Sequence, residues 1–316
     1  MARIVYHASQ EQFAPSHLLN LVKQAEQAGF DAIHSSDHFH PWSHRQGHSG
    51  FTFSWLGAAM QITKIPFSMV CAPGQRYHPA IVAQAIATIA ELFPGRFHVE
   101  LGSGEALNEM ITGTPWPEKK QRNERLRECV AIIRSLLAGE EVTYKGHVVV
   151  KEAKLYTRPT HPPKLFCAAL SEETSGWAGQ WADGLLTTAG SVEDVEKKMA
   201  VFHRNGGNGK PLYLQFSFSY ARKKDDAIDG AYDQWKSSFV GTEKLAGFYK
   251  PEQFDEATKG ITRDEVADKT VIVTNMNELG DHIAKYRATG ADAVVLHNLN
   301  RLHEDFIEDY GKKIGN

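Results

Sequence analysis

The chain has 316 residues, of which 42% are hydrophobic and 23% charged, a composition typical of a globular protein with a substantial core. Its formal net charge of −3 gives no general attraction to nucleic acid or to anionic membranes. We expect neither export nor membrane insertion, because no segment has the uninterrupted apolar character of a signal or a span. The three cysteines are widely spaced and form no CxxC pair, which predicts a reduced, cytoplasmic protein whose partners are small molecules.

Apolar runs of strand length alternate with longer amphipathic stretches from the start of the chain. The sequence predicts a strand at 2–9 (ARIVYHAS), a helix at 18–29 (LLNLVKQAEQAG) and a second strand at 31–36 (DAIHSS). The same order then returns, with Gly or Pro-Gly before the next strand, in 65–73, 79–95 and 96–104. Further strands are predicted at 164–170, 184–190, 211–220, 270–274 and 293–298.

A recurring helix-to-strand junction favours a cyclic arrangement. The segments 28–33 (AGFDAI), 181–186 (WADGLL) and 289–295 (TGADAVV) share this junction. About eight parallel strands with helical crossovers predict a (β/α)8 TIM barrel, with a doubly wound open sheet as the competing fold. We predict a single domain over residues 1–316, with insertions near 106–160 and 221–265.

Polar side chains follow several predicted strands at the end where a parallel barrel builds its chemistry. Their convergence is a signal for a functional site. The residues concerned are Glu11 after the first strand, Asp37, His38 and Trp42 after the second, Arg76, Tyr77 and His78 after the third, Glu105 and Asn108 after the fourth, and His297 after the last.

The His38-Phe39-His40 segment has two interpretations. An HxH pair is found in metal-dependent hydrolases built on barrels, but such sites need ligands on later strands, and Pro41 favours a turn instead. An imidazole near its ordinary pKa is also suited to proton transfer. We predict proton transfer and no bound metal, and we keep a hydrolase that uses His38 and His40 as an alternative.

Two strand-to-helix junctions could hold a phosphate. Residues 102–109 (GSGEALNE) combine two glycines with the start of a helix, where backbone N–H groups attract anions, although a plain tight turn explains them as well. Ser171 precedes a predicted helix and has a complete structural role as its N-cap. Both interpretations remain open for each junction.

Four motifs in the first 110 residues together resemble the luciferase-like superfamily of flavin and deazaflavin oxidoreductases. They are EQFAP at 11–15, SDHFHPW at 36–42, RYHPA at 76–80 and GSGEALNE at 102–109. The chain is most similar to the branch that contains F420-dependent glucose-6-phosphate dehydrogenase and F420-dependent secondary alcohol dehydrogenase. Beyond residue 110 the resemblance is looser and continues through WADG at 181–184.

The resemblance implies hydride transfer between a flavin-type ring at the barrel mouth and a small organic substrate, and it includes monooxygenases among the implied enzymes. His38 and Glu105 would handle protons, Trp42 would steady a charged intermediate, and Glu11 completes the implied catalytic set. The branch often has a cis peptide at the positions of Met69 and Val70, which a site must hold in place. The implied cofactor-binding residues are Asp37, Met69, Val70, Ala72, Ser103, Gly104, Asn108, Ala169, Leu170 and Ser171.

Departures from the family pattern guide the choice of cofactor. Ala169-Leu170-Ser171 replaces the Gly-Gly-Pro turn of the deazaflavin-dependent branch and is similar to the phosphate turn of FMN-dependent members. Ala72 also replaces a threonine that contacts the deazaflavin tail. FMN is therefore the first choice and coenzyme F420 the second.

Substrate and partners follow from the same comparison. The positions aligned with the cationic phosphate-binding side chains of the glucose-6-phosphate dehydrogenases hold Ser191, Glu256 and either Thr270 or Lys269. A site that lacks most of its cations binds a phosphate dianion poorly, so we predict that glucose 6-phosphate is not the substrate. The resemblance implies a homodimer and allows a separate flavin reductase. A non-catalytic flavin-binding protein is a further alternative.

Overall fold

The computed structural model describes residues 2–315, apart from the side chains of residues 242, 243 and 245. Its strands are β1 Arg3–Ala8, β2 Ala32–Ser35, β3 Phe67–Cys71, β4 Phe97–Leu101, β5 Val142–Lys145, β6 Val149–Ala153, β7 Leu165–Ala168, β8 Leu185–Thr188, β9 Leu212–Tyr220, β10 Ile272–Val273 and β11 Ala293–Asn298.

Helices occupy most of the connections between these strands. They are α1 Pro15–Gln27, α2 Thr52–Gln61, α3 Pro79–Leu92, α4 Ala106–Glu109, α5 Lys119–Ala138, α6 Glu172–Gly179, α7 Val192–Phe202, α8 Lys224–Trp235, α9 Thr242–Gly247, α10 Pro251–Ala257, α11 Arg263–Lys269, α12 Met276–Arg287 and α13 His303–Lys313. Within residues 2–315, none of them has the length and apolar character needed to cross a membrane.

Eight strands form a closed ring. Neighbouring strands pair in parallel in the order β1-β2-β3-β4-β7-β8-β9-β11, and β11 pairs with β1 to complete the circle. The predicted (β/α)8 barrel is confirmed, and the open sheet is wrong because both edges of an open sheet would lack a partner strand.

The predicted strand at 270–274 is shorter than expected and lies outside the ring. Only β10 forms there, and it pairs with Ser219 and Tyr220 at the end of β9. The region 106–160 contains α4, α5 and an antiparallel β5–β6 hairpin, so it adds elements between two strands of the ring.

Alternation along each strand separates two apolar regions. Side chains such as Ile4 and Tyr6 point outward and pack beneath the helices, whereas Val5 between them points into the barrel. The inward-facing cluster consists of Val5, Ala32, Phe166, Leu186, Tyr213, Ala293 and Val295. Because this interior is filled, a ligand can enter only at the ends of the barrel.

Candidate active site

His38 lies between two carboxylates at the carboxyl ends of β1, β2 and β4. Its Nδ1 atom is 3.7 Å from Oε1 of Glu11, and its Nε2 atom is 3.9 Å from Oε2 of Glu105. Both distances are slightly longer than a hydrogen bond, and neither His38 Nδ1 nor Glu11 Oε1 has a hydrogen-bond partner among the described residues. The site therefore presents an imidazole whose two nitrogens each face a carboxylate without being committed to it.

Two hydroxyl groups fix the orientation of the Glu11 carboxylate. Ser9 Oγ and Ser36 Oγ both donate to Oε2 of Glu11, at 2.7 and 2.8 Å, and the Glu11 side chain is only 5% exposed. The second oxygen, Oε1, is thereby left facing His38. The loops after β1 and β2 thus orient one carboxylate oxygen toward the histidine.

Glu105 is a partly exposed carboxyl group with a perturbed pKa. Burial raises the pKa of its carboxyl above the ordinary range, His38 opposes this rise, and Glu11 adds to it. The side chain is crowded by protein atoms on one side, yet 42% of its surface is exposed at the barrel mouth. A carboxyl group with a raised pKa and access to a ligand is suited to proton exchange.

Trp42 forms an aromatic wall beside His38. The two rings have centroids 5.4 Å apart, and Phe254 of α10 packs edge-on against the indole at 5.3 Å. Leu107, Val240 and Phe254 form a small buried apolar cluster against which Trp42 packs. This side of the mouth is therefore apolar.

Asp37 has a different environment from its neighbour His38. Arg76 Nη2 donates to Oδ2 of Asp37 at 2.8 Å, and Tyr77 OH donates to Oδ1 at 3.1 Å. Burial raises the pKa of Asp37, whereas Arg76 and the Tyr77 hydroxyl lower it. Because only 1% of this side chain is exposed, its contact with a cofactor stays a prediction.

Asn108 ties the loop after β2 to the loop after β4. Its Oδ1 atom accepts from the backbone N–H groups of Phe39 and His40 at 2.9 and 3.4 Å. Its Nδ2 atom lies 3.4 Å from Oε2 of Glu105. Asn108 therefore helps to position both His38, through the backbone that follows it, and Glu105.

His40, the second histidine of the HxH segment, makes a loop contact. His40 Nδ1 donates to the carbonyl oxygen of Leu107 at 2.9 Å, so this ring is engaged in fixing the loop. Among residues 2–315, no group of three or more His, Cys, Asp and Glu side chains is arranged to hold a metal ion.

Of the predicted cofactor-binding residues near β3 and β4, Ala72, Ser103 and Gly104 follow the carboxyl ends of the strands. Met69 and Val70 instead lie within β3, and Met69 packs in the outer apolar region. Met69 is fully buried, while Val70, Ala72, Ser103 and Gly104 are half-buried. All peptide bonds in the described chain are trans, so the expected cis peptide at Met69 and Val70 is wrong for this structure. The strand there keeps unbroken parallel register with β4 from Phe67 to Cys71, which needs no such distortion.

Gly104 is required by local geometry. Its φ angle is +85°, and a Cβ atom there would lie 3.0 Å from Cγ of Glu109 and 3.3 Å from Cβ of Ala72. Any other residue at this position would be strained and crowded. The loop therefore keeps bare backbone at the mouth.

Ser171 is the N-cap of α6, as its sequence position predicts. Its Oγ atom accepts from the Thr174 N–H group at 3.3 Å. Ala169 is buried, whereas Leu170 is 70% exposed. Glu173 in the first turn is paired with Lys119 at 3.1 Å, which offsets part of the negative charge beside the helix N-terminus.

Two predicted strand-end histidines have other surroundings. His78 is the N-cap of α3 and donates from Nε2 to the Val149 carbonyl oxygen at 2.9 Å, so it fixes the hairpin. His297 lies within β11 and is 4% exposed, with its ring 4.1 Å from that of His7 and 5.1 Å from that of Trp235. Burial lowers the pKa of His297 to about 3.

Sequence reasoning did not identify several supporting residues. Ser9 and Ser36 orient Glu11; the available signals were that Ser36 begins the motif at 36–42 and that Ser9 lies two residues before the motif at 11–15. Glu109 Oε2 accepts from the Arg76 N–H group at 2.7 Å and so helps to fix the Asp37 partner. Phe254 is far from the motifs in sequence, and no local pattern indicates that it packs on Trp42.

Comparisons with known proteins identify the family of the chain. The family model described as luciferase-like monooxygenase matches residues 2–293. The F420-dependent glucose-6-phosphate dehydrogenase of Beutenbergia cavernae is 34% identical over 99% of this chain and 96% of its own length. That of Mycobacterium tuberculosis is 31% identical over 97% of this chain and 95% of its own.

Solved structures extend the agreement to three dimensions. An F420-dependent secondary alcohol dehydrogenase in complex with an F420–acetone adduct matches with a TM-score of 0.90 and 28% identity, over 99% of this chain and 98% of that one. The coenzyme F420-dependent tetrahydromethanopterin reductase of Methanopyrus kandleri, at 21% identity and a TM-score of 0.77 over 99% of this chain and 98% of that one, shows the shared fold. The family model, the relatives and the shared barrel show that the chain belongs to the luciferase-like monooxygenase family of oxidoreductase enzymes.

Proposed function

We propose that this enzyme transfers a hydride between a flavin-type cofactor, F420 or FMN, and a small organic substrate other than glucose 6-phosphate. The observation that carries the proposal is His38, placed between Glu11 and Glu105 at the barrel mouth. The F420-dependent relatives support the cofactor class. When bound, such a ring supplies the site that accepts or donates the hydride.

The residues at the mouth fit a planar cofactor with a phosphate-bearing tail. Gly104 keeps backbone exposed where a side chain would collide, and Ser103 beside it is half-buried. The N-terminus of α6, capped by Ser171, offers backbone N–H groups for a phosphate. The unpartnered His38 Nδ1 and Glu11 Oε1 atoms are buried polar groups of the kind that a ligand-binding site keeps available.

His38 would move the proton that accompanies the hydride. A substrate hydroxyl can give its proton to one ring nitrogen while the carboxylate at the other nitrogen stabilises the resulting imidazolium. Glu11, fixed by Ser9 and Ser36, is suited to that stabilising role. Glu105, whose pKa is raised by burial, can carry a proton itself, and Trp42 would shield the site from water.

The two cofactor candidates rest on different observations. The relatives that cover almost the whole chain are named for F420, which now favours the deazaflavin. FMN is supported only by local sequence, where Ala169, Leu170 and Ser171 replace the Gly-Gly-Pro turn and Ala72 replaces a threonine. We therefore propose F420 first, with FMN as the candidate that the experiment must exclude.

Glucose 6-phosphate fits poorly for electrostatic reasons. Ser191 is occupied as the N-cap of α7, and Glu256 forms an ion pair with Lys259. The Lys269 ammonium lies 5.7 Å from the centre of the Phe239 ring. A sugar phosphate would thus meet few free cations at the aligned positions.

Absorption spectroscopy tests the cofactor. The purified protein is titrated with F420 and FMN separately, and a shifted band near ~420 nm or ~450 nm identifies the ligand by its ring chemistry. Saturable binding of either ring supports the proposal. Binding of neither ring, together with stoichiometric zinc by metal analysis, would instead establish the hydrolase alternative.

Turnover tests the substrate. The loaded enzyme is assayed with glucose 6-phosphate and with propan-2-ol at matched concentrations. We expect no detectable reaction of the sugar phosphate. Turnover of glucose 6-phosphate would overturn the substrate part of the proposal without affecting the cofactor part.

The proposal also includes a cytoplasmic homodimer and allows a separate flavin reductase as an electron source. The free, buried thiols of Cys71, Cys129 and Cys167 are compatible with a reducing compartment. Exposed Phe51, the N-cap of α2, and Ile81 in α3 offer apolar surface to a second copy. Sedimentation equilibrium tests the dimer, and a monomer at all concentrations would contradict it.

A further inference from the structure

A row of titratable side chains continues from the mouth into the barrel interior. Its members are His7 on β1, His34 on β2, and Glu100 and His98 on β4, all at inward-facing positions. His7, His34 and Glu100 are buried, at 3%, 1% and 0% exposure, and none of them is explained by packing. Buried ionisable groups cost free energy, so a set of four in one interior calls for a role.

The contacts give the row an order. His7 Nδ1 and His34 Nδ1 are 2.8 Å apart, and His34 Nε2 is 3.9 Å from Oε2 of Glu100. The other carboxylate oxygen, Oε1, is 3.1 Å from His98 Nε2. Of these three gaps, only the one between His34 and Glu100 is longer than a hydrogen bond. A small side-chain movement or one bridging water would connect that pair.

Hydrogen-bond chemistry assigns the direction of the donors. Glu100 has no hydrogen-bond partner among the described residues at either oxygen, so its neighbours must supply N–H groups. His34 then carries its proton on Nε2 and accepts at Nδ1 from His7. This tautomer places a transferable proton on each side of one buried carboxylate.

The two ends of the row reach different environments. At the mouth end, His7 and His34 are the second-last residues of β1 and β2, two positions before Ser9 and Ser36, whose hydroxyl groups donate to Glu11. Burial lowers the pKa of His34, and the Glu100 charge opposes this. At the other end, His98 is the second residue of β4, and its ring lies 5.2 Å from that of Tyr213, the second residue of β9. The His98 side chain is 17% exposed, so the row ends in solvent near the amino ends of the strands.

We propose that His7, His34, Glu100 and His98 conduct protons between the catalytic mouth and the opposite end of the barrel. The inference rests on the proposed hydride transfer. When a hydride leaves the carbon of an alcohol for the oxidised ring, the hydroxyl proton passes to His38 and Glu11, through the row, and from His98 to water. Reduction of a carbonyl moves the same proton inward.

The proposed pathway explains why protons could move while a cofactor covers the mouth. Other charged or titratable groups near the row are His297 beside His7, and Tyr213 near His98. Burial, with the neighbouring His297, lowers the pKa of His7 well below its ordinary value. None of these completes a second path to the amino ends of the strands, because the remaining inward-facing cluster is dominated by apolar side chains.

Exchange of ring N–H protons, followed by nitrogen NMR on histidine-labelled protein, tests the row. We expect His34 to exchange with solvent at least about tenfold faster than His303, a buried histidine outside the row that bonds to Tyr6 and Asn298. Glu100→Gln should slow the His34 exchange by about tenfold or more, because an amide cannot relay a proton. Equal exchange of His34 and His303, or no effect of Glu100→Gln, would overturn the proposal.

A second variant and a measurement with bound cofactor complete the test. If Glu100→Gln fails to fold, His98→Gln at the solvent end provides the same break at a more exposed position. Saturation with whichever of F420 or FMN binds should leave the His34 exchange unchanged, whereas an exchange route through the mouth would be blocked. If neither cofactor binds, the proposed function fails, but the measurements on the unloaded protein still decide whether the row conducts.

Discussion

Asp37 and Arg76 show how the site depends on single buried charges. Arg76 contacts Asp37 at 2.8 Å and Glu109 at 3.5 Å, and all three side chains are at most 7% exposed. One cation thus serves two buried carboxylates. Removing one partner of such a group leaves a buried charge without compensation. The free-energy cost of that charge is larger than the net stabilisation that the intact ion pair provides.

Arg76→Met should therefore lower the free energy of unfolding by about 3–5 kcal/mol, because Asp37 and Glu109 would be left buried together. Urea denaturation at neutral pH measures the change. The matched control is Arg134→Met, which removes an ion pair to Asp183. That pair has a similar distance, 2.9 Å, but is partly exposed. It should cost about 1 kcal/mol or less. Equal losses of stability in the two variants would show that the buried ion pairs of Arg76 contribute no more than an exposed pair does.

His38→Ala separates proton transfer from the other interpretations of the HxH segment. We expect turnover to fall by about 10²–10⁴-fold while the cofactor still binds, since this imidazole is the group between the two carboxylates. The control His40→Ala removes a loop contact to Leu107 and should reduce turnover far less. Spectral titration and steady-state kinetics measure the two effects. Parallel loss in both variants would favour a shared ligand role, and unchanged turnover in His38→Ala would favour a non-catalytic binding protein.

At the scale of elements, two helix N-termini have the same cap but different surroundings. Ser171 caps α6 at the predicted cofactor side of the barrel, and Ser191 caps α7, with acceptor distances of 3.3 and 3.1 Å. Each helix also has acidic residues in its first turn. The pair therefore allows a structural cap to be distinguished from a cap that also serves a ligand.

Ser171→Ala and Ser191→Ala should each lower the free energy of unfolding by about 1 kcal/mol, because each removes one N-cap hydrogen bond. Only Ser171→Ala should also weaken cofactor binding, since it removes a hydroxyl group from the proposed phosphate site at the start of α6. Thermal denaturation and spectral titration distinguish these effects. A loss of affinity in both variants, or in neither, would contradict the assignment of Ser171 to the cofactor.

The sequence predicted the elements well where local signals were strong. The strands before Glu11, His38 and Glu105 formed as expected, because apolar runs bounded by Gly and Pro have few alternatives. The predicted strand at 270–274 was too long, since only Ile272 and Val273 pair with the end of β9, outside the ring. Long-range contacts such as Phe254 with Trp42, and the alignment of His34 with Glu100, were beyond prediction because they depend on the closure of the barrel.

At the scale of the whole molecule, the fold buries several histidines in neutral form. Burial lowers the pKa of His297 to about 3 and that of His303 to about 4. The unfolded chain binds protons at these rings below an ordinary histidine pKa of about 6.5, whereas the folded chain does not. Stability contributed by these residues is therefore present at neutral pH and is lost as the pH falls from about 7 toward 4.

At pH 5, each of these two histidines should cost about 2 kcal/mol of the free energy of unfolding relative to neutral pH. Urea denaturation at pH 7.5, 6 and 5 measures the slope, with about two protons taken up on unfolding at the acid end from this pair. His297→Gln should reduce the loss between pH 7.5 and 5 by about 2 kcal/mol, because the glutamine cannot take up the proton. The control His161→Gln changes an exposed ring that water solvates in both states, and it should leave the slope as it is. A parent protein whose stability is the same at pH 7.5 and 5 would show that these rings are protonated in the folded state, and so that the barrel interior is more hydrated than its packing indicates.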